Sequence, residues 1–292
     1  MNHPLAALPV LDRRPFRAVN GAYSTSIAAS AHCALLLELD TWPKPGLVSH
    51  VDSGSHRDMK SETFRVSADS LYAYFGQITV AGAQGAPMNE LRELGLAAER
   101  TMLTATQGVN THRGAIFGLG LLCAAAGYRQ ETHDASLSLG EIVATRWGRS
   151  ILSGPLPAST NGVLALHRYG AGGARVEAAS GFQSLYRVAL PALRAARGWT
   201  NTDDNAHRVH VLFALLAEVD DTNLLHRGGP AGAAWAKACA QDFLDCGSIG
   251  RQGWLENAVA IHREFVIRGV SPGGCADLLA MCIFVDANDV SP

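Results

Sequence analysis

Between Thr41 and Met59 the chain reads TWPKPGLVSHVDSGSHRDM, which gathers Lys44, His50, Asp52, His56, Arg57 and Asp58 into one short stretch. Carboxylates and imidazoles can move protons, and lysine and arginine can hold anions. The prolines stiffen this backbone and the glycines free it, as suits a loop that presents side chains. Three further stretches combine Gly or Pro with polar groups: TQGVNTHRGAIF at 106–117, DDTNLLHRGG at 220–229 and SPGGCADLLA at 271–280.

In the second stretch, Asn110 or Thr111 can cap a helix that begins near Gly114. His112 and Arg113 then lie in its first turn, beside backbone N–H groups that suit a phosphate. An ordinary capping loop with its arginine in water fits the same residues. In the third stretch, Asp220, Asp221 and Asn223 stand next to Arg227. Adjacent acids are comfortable on solvent, at a helix start, or around a cation, and their oxygens suit Mg²⁺. Asp52 and Asp58 have the same readings. His207 and His210 lie one helical turn apart but lack a third ligand, so they read as surface or packing residues rather than zinc ligands. Glu38 ends the first helix beside the opening loop. Asp277 lies in an apolar helix, where it needs a partner: a loop arginine or a role in a site.

The elements that must position these groups are helical. Apolar residues recur at helical spacing near 18–39, 62–82, 87–106, 114–127, 135–152, 161–169, 176–197, 203–218, 230–245, 250–268 and 272–287. Pro87 suits a first turn, and Ser271-Pro272 reads as an N-cap followed by the first helical residue. Gly127 and Gly269 sit where helices should end, and Pro191 should kink or split its helix. No strand alternation persists. The expected fold is all-α: a single-domain multi-helix assembly over 18–292, its active site built from interhelical loops, preceded by a loosely ordered extension at 1–17. Segments 153–160 and 170–174 read as loops.

With 48% hydrophobic and 17% charged residues, the chain of 292 residues can build a sizeable core. A net charge of −2 without a basic block argues against a nucleic-acid partner. The longest uncharged apolar run, Gly114 to Tyr128, is too short and too rich in Gly and Ala for a membrane span of roughly 20 residues. The N-terminus lacks the basic start and long apolar core of a signal peptide. Six scattered cysteines without a CxxC pair read as reduced core residues of a cytoplasmic protein. The phosphate-loop, dinucleotide, nucleophile-elbow and HExxH motifs are absent, so any nucleotide is bound by an all-helical route.

Taken together, PKPGLVSHVDSGSHRDM, GVNTHRGAIFGLG, DDTNLLHRGG and SPGGCADLLA occur in the order and at about the spacing of the triphosphoribosyl-dephospho-coenzyme A synthases. The chain resembles that family from roughly Ala18 to Val285. LELDTWPKPGLVSHVDSGSHRDM is most similar to the malonate decarboxylase branch. The citrate lyase branch usually has Asp where this chain has Ser49, Lys where it has Arg113, and Thr near Cys282.

The resemblance implies an all-helical transferase. ATP and 3′-dephospho-CoA would give 2′-(5″-triphosphoribosyl)-3′-dephospho-CoA and adenine. A separate transferase would then load that precursor onto an acyl carrier protein. Such chemistry asks for groups on the triphosphate, a carboxylate near the sugar C1′, a base for the attacking hydroxyl and a donor for the departing adenine. Lys44, Arg113 and Arg227 are the phosphate candidates, with the turn at Asn110, Thr111 and Gly114. Asp221 and Asn223, with Asp58, are the candidates for Mg²⁺. Asp58 or Asp52 would be the base, and His56 or His112 the donor to adenine.

Two rivals use the same residues. DDTN is similar to a motif of the all-helical ADP-ribosyl hydrolases, in which water would be the acceptor. A non-catalytic nucleotide-binding protein would lack the acid–base groups that fill these loops. An Ala-rich helical surface leaves room for a homo-oligomer, but no heptad run marks one.

Overall fold

The computed structural model describes residues 21–133, 135–155 and 172–289. They contain no strand. The helices are α1 (Gly21–Asp40), α2 (Ser61–Ala83), α3 (Met88–Ala105), α4 (Arg113–Thr132), α5 (Leu139–Ser153), α6 (Gly173–Ala179), α7 (Leu190–Arg197), α8 (Asp204–Glu218), α9 (Thr222–Asp245), α10 (Trp254–Arg268) and α11 (Gly273–Asn288). A π turn, Leu185–Ala189, leads into α7. No helix among the described residues is long and apolar enough to cross a membrane.

The apolar run from Gly114 becomes the axis of the molecule. Almost every residue of α4 from Ala115 to Gly127 is buried, as expected of a helix that is hydrophobic all round. α2 lies closest to it, and small residues set that approach. A Cβ added to Gly82 would collide with the Ala124 carbonyl, and one added to Gly127 with the Thr79 carbonyl. Toward the start of α4, the Tyr74 hydroxyl of α2 donates to the Ile116 carbonyl at 2.7 Å. α11 is the second core helix, with Cys275, Leu278 to Cys282, Phe284 and Val285 buried. Its C-terminus is tied down by Asp289, which pairs with Arg129 and accepts from the Leu139 N–H at 3.0 Å.

Several expectations change. Gly127 does not end α4. The helix runs on to Thr132 and closes on His133 in the left-handed region, because Gly127 serves helix packing. The stretch after Asp221 is not a loop. Asp221 caps a helix at once through the Asn223 and Leu224 N–H groups, and Gly229 at φ 63° breaks it ahead of Pro230. α10 starts at Trp254, because residues 248–250 form a separate 3₁₀ turn. The expected helix over 176–197 is divided into α6, the π turn and α7, with Pro191 at the start of α7. Gly269, at φ 67°, does cap α10. All six cysteines are free, but only Cys123, Cys275 and Cys282 are core residues, while Cys33 and Cys246 are exposed. The extension at 1–17 and the helix expected at 161–169 lie outside the described residues.

Gly127→Ala should therefore force α2 and α4 apart. Overpacking of this kind costs about 1–3 kcal/mol, read as a lower thermal midpoint with the helical circular dichroism retained below it.

Candidate functional site

The opening loop, residues 41–60, leaves α1 through a cis Trp42–Pro43 bond and runs beneath α10 and α11. Lys44 is 1% exposed. Its ammonium donates to the Glu38 carbonyl at 2.8 Å and forms a close ion pair with the Glu38 carboxylate. Burial pushes the Glu38 carboxyl up and the Lys44 ammonium down, and their mutual attraction opposes both shifts. The Lys44 carbonyl accepts from His262 Nδ1 at 2.6 Å, and His262 Nε2 stands 3.2 Å from Asp52 Oδ1. The Ser55 hydroxyl reaches the Val270 carbonyl at 2.7 Å. One buried histidine and one serine thus pin the loop to α10 and the turn after it.

At the loop's outer end, His56 Nε2 lies 3.0 Å from the Ser271 hydroxyl, and its Nδ1 faces Arg227 at 3.2 Å. Arg227 cannot accept, so it donates to Nδ1, and Nε2 carries the hydrogen toward Ser271. Burial, then the Arg227 charge, lowers the His56 pKa, so the ring is neutral at pH 7. Asp58 is exposed and lies 3.9 Å from the same imidazole. Apart from its bond to His56, Arg227 makes only long contacts with the carbonyls of Ser55 and Gly269, at 3.5 and 3.4 Å, which leaves donors for a ligand.

Deeper in, Asp221 and Asp277 tie the starts of three helices together. Asp221 accepts from Asn223 N at 2.8 Å, Leu224 N at 3.1 Å and Cys275 N at 2.9 Å, so one carboxylate caps α9 and clamps α11. These bonds oppose the upward pull of burial on its pKa. Asp277 accepts from the Ala115 N–H, and only a glycine at 114 leaves room for its carboxylate. Burial first, then the charges of Glu38 and Asp221, hold the Asp277 pKa well above the usual carboxylate range. The salt bridge from Asp277 to a loop arginine, one of its sequence readings, does not form.

His112 stands at the start of α4 and is 4% exposed. Its Nδ1 lies 2.7 Å from the Ser67 hydroxyl, and its Nε2 is buried without a partner. Burial, and secondarily the Lys44 charge, pushes its pKa down to about 3, so this ring too is neutral at pH 7.

The four polar stretches therefore meet. The opening loop touches α9 through Arg227 and the turn before α11 through Ser271. The starts of α9 and α11 share Asp221, those of α4 and α11 share Asp277, and His112 feels Lys44. Other candidates are differently employed. Arg113 pairs with Glu99 of α3, Nε to Oε1 at 2.6 Å. Asn110 is exposed and accepts from the Arg113 N–H at 3.3 Å. The Thr111 hydroxyl donates to Ser67 at 2.7 Å. Lys44 is committed to Glu38. Asn223 lies against Gly273, where a Cβ would meet its amide at 2.8 Å. His207 bonds Thr202 at 2.9 Å and His210 bonds Ser248 at 2.8 Å, so both are packing residues, as expected. Ser67 and His262 carry no sequence motif, and Ser271, which opens the fourth stretch, meets His56 rather than capping α11. The only signal for His262 is a lone polar residue one turn from buried Ala258 and Phe265 on the same face of α10.

An all-helical body whose loops converge on buried acids, a buried lysine and an unpartnered imidazole has the parts of an enzyme site. Residues 24–291 match the family described as CitG, ATP:dephospho-CoA triphosphoribosyl transferase, and the chain belongs to that family of transferases. It is 39% identical over 259 residues to a 2-(5″-triphosphoribosyl)-3′-dephosphocoenzyme-A synthase of Pectobacterium atrosepticum, covering 85% of this chain and 84% of the relative. It is 38% identical over 275 residues to a probable enzyme of the same name from Albidiferax ferrireducens, covering 89% of each. A probable synthase of Pseudomonas syringae pv. tomato is 37% identical over 260 residues, covering 87% of this chain and 88% of the relative. No solved structure matches the chain.

Two outcomes follow from the buried charges. Lys44→Met should cost about 3–5 kcal/mol, because it strands the Glu38 carboxylate, and Glu38→Leu added to it should restore much of that loss in denaturant unfolding. For Asp277 the folded pKa lies above the unfolded value of about 3.9. Between the two, the folded state keeps a proton that the unfolded chain has lost, so stability falls as pH rises through this window. Asp277→Asn should flatten that fall in melts taken from pH 4 to 8.

Proposed function

We propose that this chain joins ATP to 3′-dephospho-CoA, forming 2′-(5″-triphosphoribosyl)-3′-dephospho-CoA and releasing adenine. The observation that carries this reading is the meeting of all four polar stretches around Glu38, Lys44, Asp221, Asp277 and His112. The dephospho-CoA ribose 2′-oxygen attacks C1′ of the ATP ribose, and the C1′–N9 bond breaks with its electron pair leaving on adenine. The hydroxyl proton passes to the carboxylate base and from there to the departing adenine, so the atoms balance and the base is regenerated. A direct displacement inverts C1′ and needs no covalent nucleophile.

Each part of the site has work in such a reaction. Positive charge develops at C1′, and the Asp221 carboxylate behind Gly274 supplies a negative field that stabilises it, while Asp277 behind Gly114 keeps its proton. Of Lys44, Arg113 and Arg227, the last is the cation best placed for the triphosphate, since its donors are the least committed of the three. Asp58 is the most open carboxylate of the opening loop and suits the base. Asp52 is held by His262 and also accepts from Gly54 N at 2.8 Å, which suits it to shaping the loop. His56 and His112, both neutral, can donate hydrogen bonds but cannot deliver a proton from a cationic ring.

Among the described residues no three His, Cys, Asp or Glu side chains are grouped to hold a metal ion. Mg²⁺ usually keeps several waters and is shared with substrate phosphates, so a complete protein cage is not required. The hard oxygens of Asp58 fit that role best, since those of Asp221 already accept three N–H groups. When bound, the ion would neutralise the triphosphate.

We assign the product to a malonate decarboxylase acyl carrier protein, through a separate transferase, on the strength of LELDTWPKPGLVSHVDSGSHRDM. Ser49 supports this branch: it is buried, and its hydroxyl accepts from the Val51 and Asp52 N–H groups. Its free thiols suit a reducing cytoplasm.

Purified protein with ATP, Mg²⁺ and dephospho-CoA should release adenine and yield a product with the mass of the joined nucleotide. Adenine release that ignores dephospho-CoA would overturn the transferase reading in favour of a hydrolase. Arg227→Ala should raise KM for ATP roughly 10- to 100-fold, the worth of one or two charge-assisted hydrogen bonds. Asp58→Asn should cut the rate of adenine release by about 10²- to 10⁴-fold with the fold intact.

A further inference from the structure

One buried polar atom near the acids is not used by the fold. His112 Nε2 has no partner, and the ring around it is fixed on every other side. Phe64 meets it edge to face at 5.1 Å, and the His112 backbone N–H lies 3.3 Å from the Met102 sulfur. On the far side of the ring stands a short relay. The Thr111 hydroxyl donates to Ser67 Oγ at 2.7 Å, and Ser67 Oγ lies 2.7 Å from His112 Nδ1. Ser67 is fully buried and has one hydrogen to give. Since Thr111 already donates to it, that hydrogen points at Nδ1. A neutral imidazole that accepts at Nδ1 carries its own hydrogen on Nε2.

We propose that Ser67 is a positioning residue which, with Thr111, locks His112 into the tautomer that turns Nε2–H toward the substrate as a neutral hydrogen-bond donor to the departing adenine. This rests on the reaction proposed above and adds how its leaving group is held. The donor keeps its hydrogen throughout. It stabilises the electron pair that moves onto the purine as C1′–N9 breaks, while the proton that finally neutralises adenine comes from the attacking hydroxyl. A neutral donor beside Lys44 adds no further cation to the buried site. An unsatisfied N–H is costly in the resting protein and is satisfied only when an acceptor arrives.

The relay can be tested with and without turnover. Long-range ¹H–¹⁵N spectra of the full chain, with the His112 signals identified by their loss in His112→Ala, should show Nε2 protonated and Nδ1 bare. Ser67→Ala should abolish that preference. A hydrogen on Nδ1 in the wild type, or an unchanged tautomer in Ser67→Ala, overturns the relay. In turnover, Ser67→Ala should lower kcat roughly 10- to 100-fold with little change in KM for ATP, because the bond strengthens only as charge reaches the base. The double variant Ser67→Ala/His112→Ala should be no slower than His112→Ala alone, and additive losses would show that Ser67 does not act through His112. A wild-type protein that releases no adenine would defeat the proposed reaction, and the spectra would still decide the tautomer.

Discussion

The burial of Lys44 is the constraint on which the site depends. An ammonium without water needs its donors satisfied, and the carboxylate and carbonyl of Glu38 do this at the end of α1. Such a pair is a poor source of stability, since desolvating each ion costs several kcal/mol. Its effect is geometric. With Nζ fixed on α1 and the Lys44 carbonyl fixed by His262 on α10, the loop between Asp40 and Ser61 has one course. Ser55 and His56 then reach the turn before α11, and Asp52, His56 and Asp58 fall on one side of it.

The opposite wall is built from helix starts. Asp221 and Asp277 satisfy backbone N–H groups of α9, α11 and α4, which otherwise lack partners. Small residues allow it, since side chains at Gly114 or Gly273 would strike Asp277 or Asn223. The price of this closeness is electrostatic: three carboxyls share a region with one ammonium, and burial disfavours their charged forms. A centre of that kind binds an anion badly by itself. The proposed reaction therefore places the sugar carbon that turns positive there and the phosphates further out, at Arg227.

The helices and the polar stretches are legible in the sequence. The long apolar run after Arg113 could be little but a buried helix, and the four stretches stood out because Gly, Pro, His, Asp and Arg interrupt an otherwise apolar pattern. Helix ends were less legible. Gly127 looks like a terminator from its type, yet it serves the contact with Thr79. Asp221 looks like part of a loop, yet its side chain starts a helix directly. In both cases a tertiary partner overrides what the local residue type suggests.

By itself, the sequence settled the helical class, the family and the set of chemical groups, because these depend on residue type, period and order along the chain. Only the tertiary structure decided which groups are free to act. It gave Lys44 to Glu38 and Arg113 to Glu99, drew in Ser67 and His262 from helices without a motif, and left His112 Nε2 and Arg227 with capacity to spare. Residue type states what a side chain can bond. Whether that bond is already made depends on neighbours far away in sequence, 218 residues for His262 and Lys44, and the helical packing alone brings such neighbours together.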